Sequence, residues 1–125
     1  MRILCWNING IRAAWKKGFP DWFSAEAPDI LCLQETKAQV EQLDHEILHF
    51  EDYKCYFNSA EKKGYSGVAI YTQHTPLNVQ NGLGDPYFDS EGRVIEMEFE
   101  KFVLFNVYFP HGGRGPESVK YKIDF

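Results

Sequence analysis

Ile3-Leu4-Cys5-Trp6-Asn7 and, one helical interval later, Pro28-Asp29-Ile30-Leu31-Cys32-Leu33-Gln34-Glu35 decide how this chain folds. From Arg2 to Trp6 the pattern alternates weakly and predicts a short buried strand ending at Asn7, broken by Asn9-Gly10. A helical stretch opens at Ile11 with Ala13, Ala14 and Trp15, is punctuated by Gly18 and Pro20, and resumes through Trp22 and Phe23. Pro28-Asp29 stops it. Ile30 to Leu33 is an unbroken apolar run, the pattern of a central strand covered on both faces. Strand, helix and strand make a βαβ unit with parallel strands and, almost always, a right-handed crossover. The fold class is therefore α/β.

Outward from that unit, Val40, Leu43 and Ile47 recur at helical spacing and predict a helix from about Ala38 to His49. Tyr53, Cys55 and Phe57 alternate as a strand, Lys62-Lys63-Gly64 turns the chain, and Gly67 to Thr72 is another apolar strand. Pro76 interrupts before Leu77 to Val79. Arg93–Phe99 and Phe102–Phe109 predict a hairpin about Glu100-Lys101. Its first arm alternates and is expected to be half exposed; its second is nearly solid apolar and is expected to be central. Pro116 opens an amphipathic stretch, Ser118 to Phe125, that lacks a C-cap signal and reads as a truncated helix.

At 125 residues, 44% hydrophobic and 16% aromatic, the chain belongs to one ordered domain at most. No apolar run approaches the roughly 20 residues of a membrane span, and no signal peptide precedes the first strand, so no membrane partner is expected. Cys5, Cys32 and Cys55 are an odd set without Cys-x-x-Cys spacing, which predicts reduced core thiols in a reducing compartment. A net charge of -5 gives no global attraction to nucleic acid, so any such binding must use a local patch.

His45-Glu46-Ile47-Leu48-His49 spells the zinc-protease signature H-E-x-x-H. At roughly 100° per residue, however, Val40, Leu43, Ile47 and Phe50 share one helix face, and both imidazoles point away from it. His74 and His111 lie in unrelated contexts and supply no third ligand. The motif is a solvated face, and the protease reading is rejected.

The chemistry lies elsewhere. In a parallel pair, Asn7 and Gln34-Glu35 leave the sheet at the same carboxyl edge, where open α/β sheets bind ligands. An amide and a carboxylate without Cys or His make a hard oxygen site suited to Mg²⁺ beside a phosphate. By themselves they would equally serve as a turn cap and a solvated loop carboxylate. Tyr108 ends the last strand and runs into Phe109-Pro110-His111-Gly112-Gly113-Arg114-Gly115, a phosphate cradle or an ordinary flexible turn.

Five blocks carry a resemblance. Ile3 to Ala13, Pro28 to Lys37, Gly64-Tyr65-Ser66-Gly67-Val68-Ala69, Glu91-Gly92-Arg93-Val94-Ile95 and Asn106-Val107-Tyr108-Phe109-Pro110 resemble, in order, the exonuclease III family of apurinic/apyrimidinic endonucleases. The resemblance implies a Mg²⁺-dependent DNA-repair phosphodiesterase, with Mn²⁺ able to replace Mg²⁺. Its substrate would be double-stranded DNA, cleaved at abasic sites or degraded from 3' ends. Asn7 and Glu35 would be the metal-site residues and Tyr108 the catalytic tyrosine. Lys37, Tyr65, Arg93, His111 and Arg114 would lie at the DNA, with His111 standing where the family commonly has an amide. Such an enzyme works in the bacterial cytoplasm or, in a eukaryote, the nucleus.

The family fold is a four-layer α/β sandwich, and its chains continue into a second half with Gly-Asp-Phe-Asn and Ser-Asp-His blocks. Neither block occurs here. Residues 1–125 are therefore expected to be the N-terminal half of one nuclease domain: about one mixed sheet flanked by helices, needing a C-terminal half to complete the site. The Gly-Ile-Arg-Ala opening and the Tyr-Phe-Pro block favour DNA repair over a DNase I-like nuclease or a phospholipid phosphodiesterase of the same superfamily. A non-catalytic half-domain is the alternative from a different class.

Overall fold

Two apolar runs that fit only as neighbours in one sheet organise the molecule. A computed structural model describes residues 1–125. β1 (Ile3–Asn7) and β2 (Ile30–Gln34) pair in parallel, with Ile3 opposite Ile30 and Asn7 opposite Gln34. α1 (Ile11–Lys16) and α2 (Phe19–Glu26) form the crossover between them. Gly18, at φ 98°, turns the chain between the helices, and Pro20 sits in the first turn of α2, where its missing N–H leaves no bond unmade.

α3 (His45–Leu48), β3 (Lys54–Asn58) and β4 (Val68–Thr72) follow. The first sheet is four-stranded and mixed, in the order β1-β2-β4-β3. β5 (Asn78–Asn81), α4 (Pro86–Asp89), β6 (Val94–Glu98), β7 (Val103–Val107) and α5 (Pro116–Asp124) complete the chain. β5, β6 and β7 make a separate three-stranded antiparallel sheet.

Side-chain alternation on β2 and β4 divides the core. Leu31, Leu33, Ala69 and Tyr71 meet Ile11, Trp15, Phe19 and Phe23 of the helices. Ile30, Cys32, Val68 and Ile70 meet Ile95, Met97 and Phe99 of the second sheet. The layers are thus helices, mixed sheet and antiparallel sheet, half of a four-layer α/β sandwich.

Four expectations are corrected. The chain contributes to two sheets rather than about one, because the apolar inner face of β6 stacks on β2 and β4 instead of extending their hydrogen bonding. β1 is an edge strand with one neighbour, so Ile3 and Trp6 remain 43% and 42% exposed rather than buried. β6 is the central, buried arm of the hairpin and β7 its exposed edge, the reverse of what apolar content suggested.

The fourth concerns the helix expected from Ala38 to His49. It divides into a 3-10 turn, Val40–Gln42, and the single turn of α3, because Leu43 and Asp44 are extended. Leu43, Ile47 and Phe50 are nonetheless buried, since two short turns satisfy the same spacing.

β7 packs over β2 and β4, and β6 over β4 and β3. β1 and β7, one edge strand from each sheet, therefore lie on the same flank. Val103, Phe105 and Phe109 are exposed along it.

Candidate active site

The carboxyl ends of β1 and β2 are stitched together by main-chain bonds. Gly10 N donates to Glu35 O at 2.7 Å, Ile11 N to Thr36 O at 3.0 Å, and Lys37 N to Ser66 O at 2.9 Å. Within this stitching Asn9, Glu35 and Lys37 adopt left-handed backbone, with φ of 48°, 54° and 52°. Left-handed conformation costs a non-glycine residue on the order of 1–2 kcal/mol, so the surrounding bonds must hold it. The outcome is that three polar side chains emerge together.

Glu35 is their focus. Its Oε1 accepts from the Tyr108 hydroxyl at 2.6 Å and from Asn7 Nδ2 at 3.3 Å. Its Oε2 lies 3.4 Å from Lys37 Nζ, which also donates to Asn9 Oδ1 at 2.6 Å. Partial burial pushes the Glu35 carboxyl up, but bonds from Tyr108, Asn7 and Lys37 outweigh it and hold the group below its ordinary range. Tyr108 moves the other way: burial, then the bond to Glu35 and its charge, push the phenol up to about 12. At neutral pH the pair is a carboxylate and a neutral phenol donor.

Tyr108 reaches Glu35 because β7 is pinned across the sandwich two residues earlier. Asn106 is 2% exposed, and its amide donates to Leu33 O at 3.1 Å and Ala69 O at 2.8 Å. Its oxygen accepts from Gln34 Nε2 at 2.7 Å. One side chain thus binds β7 to both β2 and β4. A satisfied buried amide tolerates only one placement, which gives the pin its specificity.

Behind Tyr108 sits Arg93, whose side chain is 4% exposed. It is paired with Glu91 at 2.7 Å and donates to the Tyr65 hydroxyl at 3.0 Å and to Tyr108 O at 3.1 Å. Tyr65, Tyr108 and Tyr121 surround the guanidinium, with ring centroids 5.9, 5.0 and 5.7 Å away. A cavity of about 180 Å³ opens beside it toward His111 and Arg114.

The site residues expected from sequence fall into two groups. Asn7, Glu35, Lys37 and Tyr108 are joined by contacts, and His111 lines a wider cleft of about 630 Å³ with Asn7, Glu35 and Tyr108. Tyr65 and Arg93 form the buried cluster, with Arg114 exposed at its mouth. Nδ1 of His111 accepts from Gly113 N at 3.0 Å. Sequence reasoning missed Gln34, Asn106 and Glu91, and also Arg12, Lys16 and Lys17. With Lys37, the last three line a groove of about 610 Å³. For Arg12 and Lys16 the signal was a spacing, since residues four apart share a helix face, and Lys17 follows at the C-cap.

The H-E-x-x-H pair lies outside this site. His45 and His49 are exposed, with rings stacked 4.3 Å apart on the one-turn α3. The chain contains no group of three His, Cys, Asp or Glu side chains placed to hold a metal ion. No helix is long and apolar enough to cross a membrane.

Two sheets stacked face to face, carrying an Asn–Glu–Tyr constellation at one edge, define the class. Residues 4–122 match the Endonuclease/Exonuclease/phosphatase family, and the chain belongs to it. It is 44% identical over 126 residues to the exodeoxyribonuclease of Bacillus subtilis, covering 100% of this chain and 49% of that protein. It is 44% identical over 124 residues to the DNA repair nuclease APEX1 of Danio rerio, covering 98% and 40%. Among solved structures, a 3'-5' exonuclease of Neisseria meningitidis superposes with a TM-score of 0.84 at 29% identity, covering 99% of this chain and 48% of that one. An AP endonuclease of Archaeoglobus fulgidus gives 0.83 at 30% identity, covering 99% and 47%. The chain spans two-fifths to one half of the length of these two curated relatives.

Proposed function

We propose that this chain is the N-terminal half of a Mg²⁺-dependent DNA-repair phosphodiesterase. Its substrate is double-stranded DNA, cut at abasic sites or from 3' ends. The observation that carries this reading is the convergence of Asn7, Glu35 and Tyr108 from three strands on one polar edge.

The donor set fits the ion. Glu35 supplies the single carboxylate that Mg²⁺ commonly takes, and Asn7 Oδ1, bonded to Asn9 N at 3.2 Å, keeps a second lone pair free. When bound, Mg²⁺ polarises the phosphoryl oxygen and stabilises the leaving alkoxide. Tyr108, neutral because its phenol titrates at about 12, can turn its proton toward a phosphate oxygen as charge develops there. The groove of Arg12, Lys16, Lys17 and Lys37 supplies the local basic patch that an acidic chain needs to hold a phosphate backbone.

We assign the activation of the attacking water to a C-terminal half. The chain's share of its relatives' length supports the assignment. So do the paired open edges, with Phe105 55% and Phe109 65% exposed. The reducing interior where DNA resides, bacterial cytoplasm or eukaryotic nucleus, is the compartment this reading implies.

The test is cleavage of a labelled abasic duplex in Mg²⁺ by the full-length protein, its Glu35→Gln variant and the 125-residue chain alone. Removing the carboxylate should lower turnover by about 10²-fold or more, and the chain alone should be inactive, since lost acid–base help is worth ~10²–10⁴-fold. Wild-type turnover by Glu35→Gln, or strong turnover by the chain alone, would defeat the reading.

A further inference from the structure

Arg93 is the one strongly buried cation of the chain, and four of its five N–H groups are already bonded within the protein. A guanidinium has five N–H groups in a fixed fork. Nε and one Nη2 proton go to Glu91, at 3.0 and 2.7 Å; the second Nη2 proton goes to the Tyr65 hydroxyl, and Nη1 goes to Tyr108 O. Three tyrosine rings surround it and only 4% of the side chain is exposed, so its bonds are spent on the protein rather than offered to the open cleft.

The same contacts fix Tyr108 from two directions. Tyr108 N donates to Arg93 O at 2.9 Å while Tyr108 O accepts from the Arg93 guanidinium at 3.1 Å. The Tyr108 ring lies against the cation at 5.0 Å, and its hydroxyl then falls 2.6 Å from Glu35. Glu91 holds the opposite side of the fork and also accepts from the Tyr65 hydroxyl at 3.1 Å.

Building on the phosphodiesterase reading, we propose that Arg93 is a positioning residue. With Glu91 and Tyr65 it forms a buried clamp that sets Tyr108 against Glu35 and never touches DNA. Arg and Lys are not interchangeable in such a clamp, because an ammonium cannot span three acceptors held in a plane. An error of about 1 Å at a reacting group can cost ~10²-fold in rate. A lost phosphate contact has a different signature: weaker binding, and a salt slope shallower by about 0.9.

The experiment compares Arg93→Lys, Tyr65→Phe and Arg12→Ala with wild type in the full-length protein. Single-turnover cleavage per folded molecule is measured beside Kd for the abasic duplex in EDTA at several salt concentrations. Arg93→Lys should lower the cleavage rate about 10–100-fold, with Kd within about threefold and an unchanged salt slope. Tyr65→Phe, which removes the two bonds that the hydroxyl makes in the clamp and keeps the ring, should lower it several-fold in the same manner and decides the matter should Arg93→Lys not fold. Arg12→Ala, in the basic groove, should instead weaken Kd and reduce the salt slope. A salt slope reduced by about one in Arg93→Lys, or an unchanged cleavage rate in Tyr65→Phe, overturns the proposal.

A readout that needs no turnover accompanies these. The Arg93 Nε–H resonance should be slow to exchange in the free protein and should stay bonded to Glu91 when duplex is added; its release on DNA binding also overturns the clamp. Failure of the broader reading would show instead as Glu35→Gln cleaving like wild type.

Discussion

The two faces of the mixed sheet are held by different physics. Toward the helices, Phe23 lies 4.6 Å from Phe50, 4.4 Å from Tyr53 and 5.3 Å from Tyr71 between ring centroids, in a layer otherwise filled by aliphatic and aromatic side chains. Toward the second sheet, seven apolar residues are accompanied by the Asn106–Gln34 pin, and the Arg93 clamp stands beyond it. Apolar packing is strong but tolerant of shape, whereas a buried amide or guanidinium is satisfied in one arrangement only. The helix side therefore supplies stability, and the inter-sheet side supplies position. Function sits where position is set.

The sharpest way to break this division is at its apolar pole. Phe23→Ala removes a fully buried ring and should destabilise the chain by about 3–5 kcal/mol, read as a shift of the urea midpoint. Asn106→Leu should cost less, about 2–3 kcal/mol, because it removes the buried bonds that Gln34 Nε2 and two carbonyls make to the Asn106 amide while keeping volume. If the division holds, the smaller stability loss carries the larger functional one. In the full-length protein, Asn106→Leu should depress turnover per folded molecule at least tenfold, while Phe23→Leu should leave it nearly intact. The opposite ranking would erase the distinction.

The smallest effect is a titration that touches both faces. Burial pushes the Cys32 thiol, between the sheets, up to about 12, and the Cys55 thiol, beside the helix-side core, up to about 11. Unfolded thiols release protons from about pH 8.5, so above that point the unfolded chain binds fewer protons than the native one. Stability must then fall as pH rises, by up to about 1.4 kcal/mol per pH unit for each thiol. Cys32→Ala should remove one thiol's share of that slope in denaturant titrations between pH 9 and 11. An unaltered slope would show that Cys32 is not the group responsible.

The parallel pair β1–β2 and the convergence of Asn7 with Glu35 were legible because the period, the stop at Pro28-Asp29 and the rule for βαβ edges are local or topological. The roles of β6 and β7 were not. Apolar content cannot distinguish a central strand from an apolar edge, and Val103 and Phe105 are exposed on such an edge. The single helix expected over 38–49 failed because Leu43, Ile47 and Phe50 meet the core whether one helix or two turns carry them. Gln34 and Asn106 escaped notice because an amide inside a strand pattern looks like a solvent-facing position until its partners, up to 73 residues away, are seen, and Glu91, in the turn before β6, looks like an ordinary loop carboxylate. The exposure of His45 and His49 followed from helical angles alone, and even one turn was enough to preserve it.

Asn9, Glu35 and Lys37 share a backbone conformation that glycine enters without penalty. A library of variants ranked by heat resistance alone would therefore enrich glycine at all three positions. Each such winner would discard a carboxylate, an amide or an ammonium from the candidate site. Under the proposed function, melting temperature and DNA cleavage should thus trade against each other at these codons, and directed evolution of the full-length protein needs a selection for cleavage running beside the thermal one.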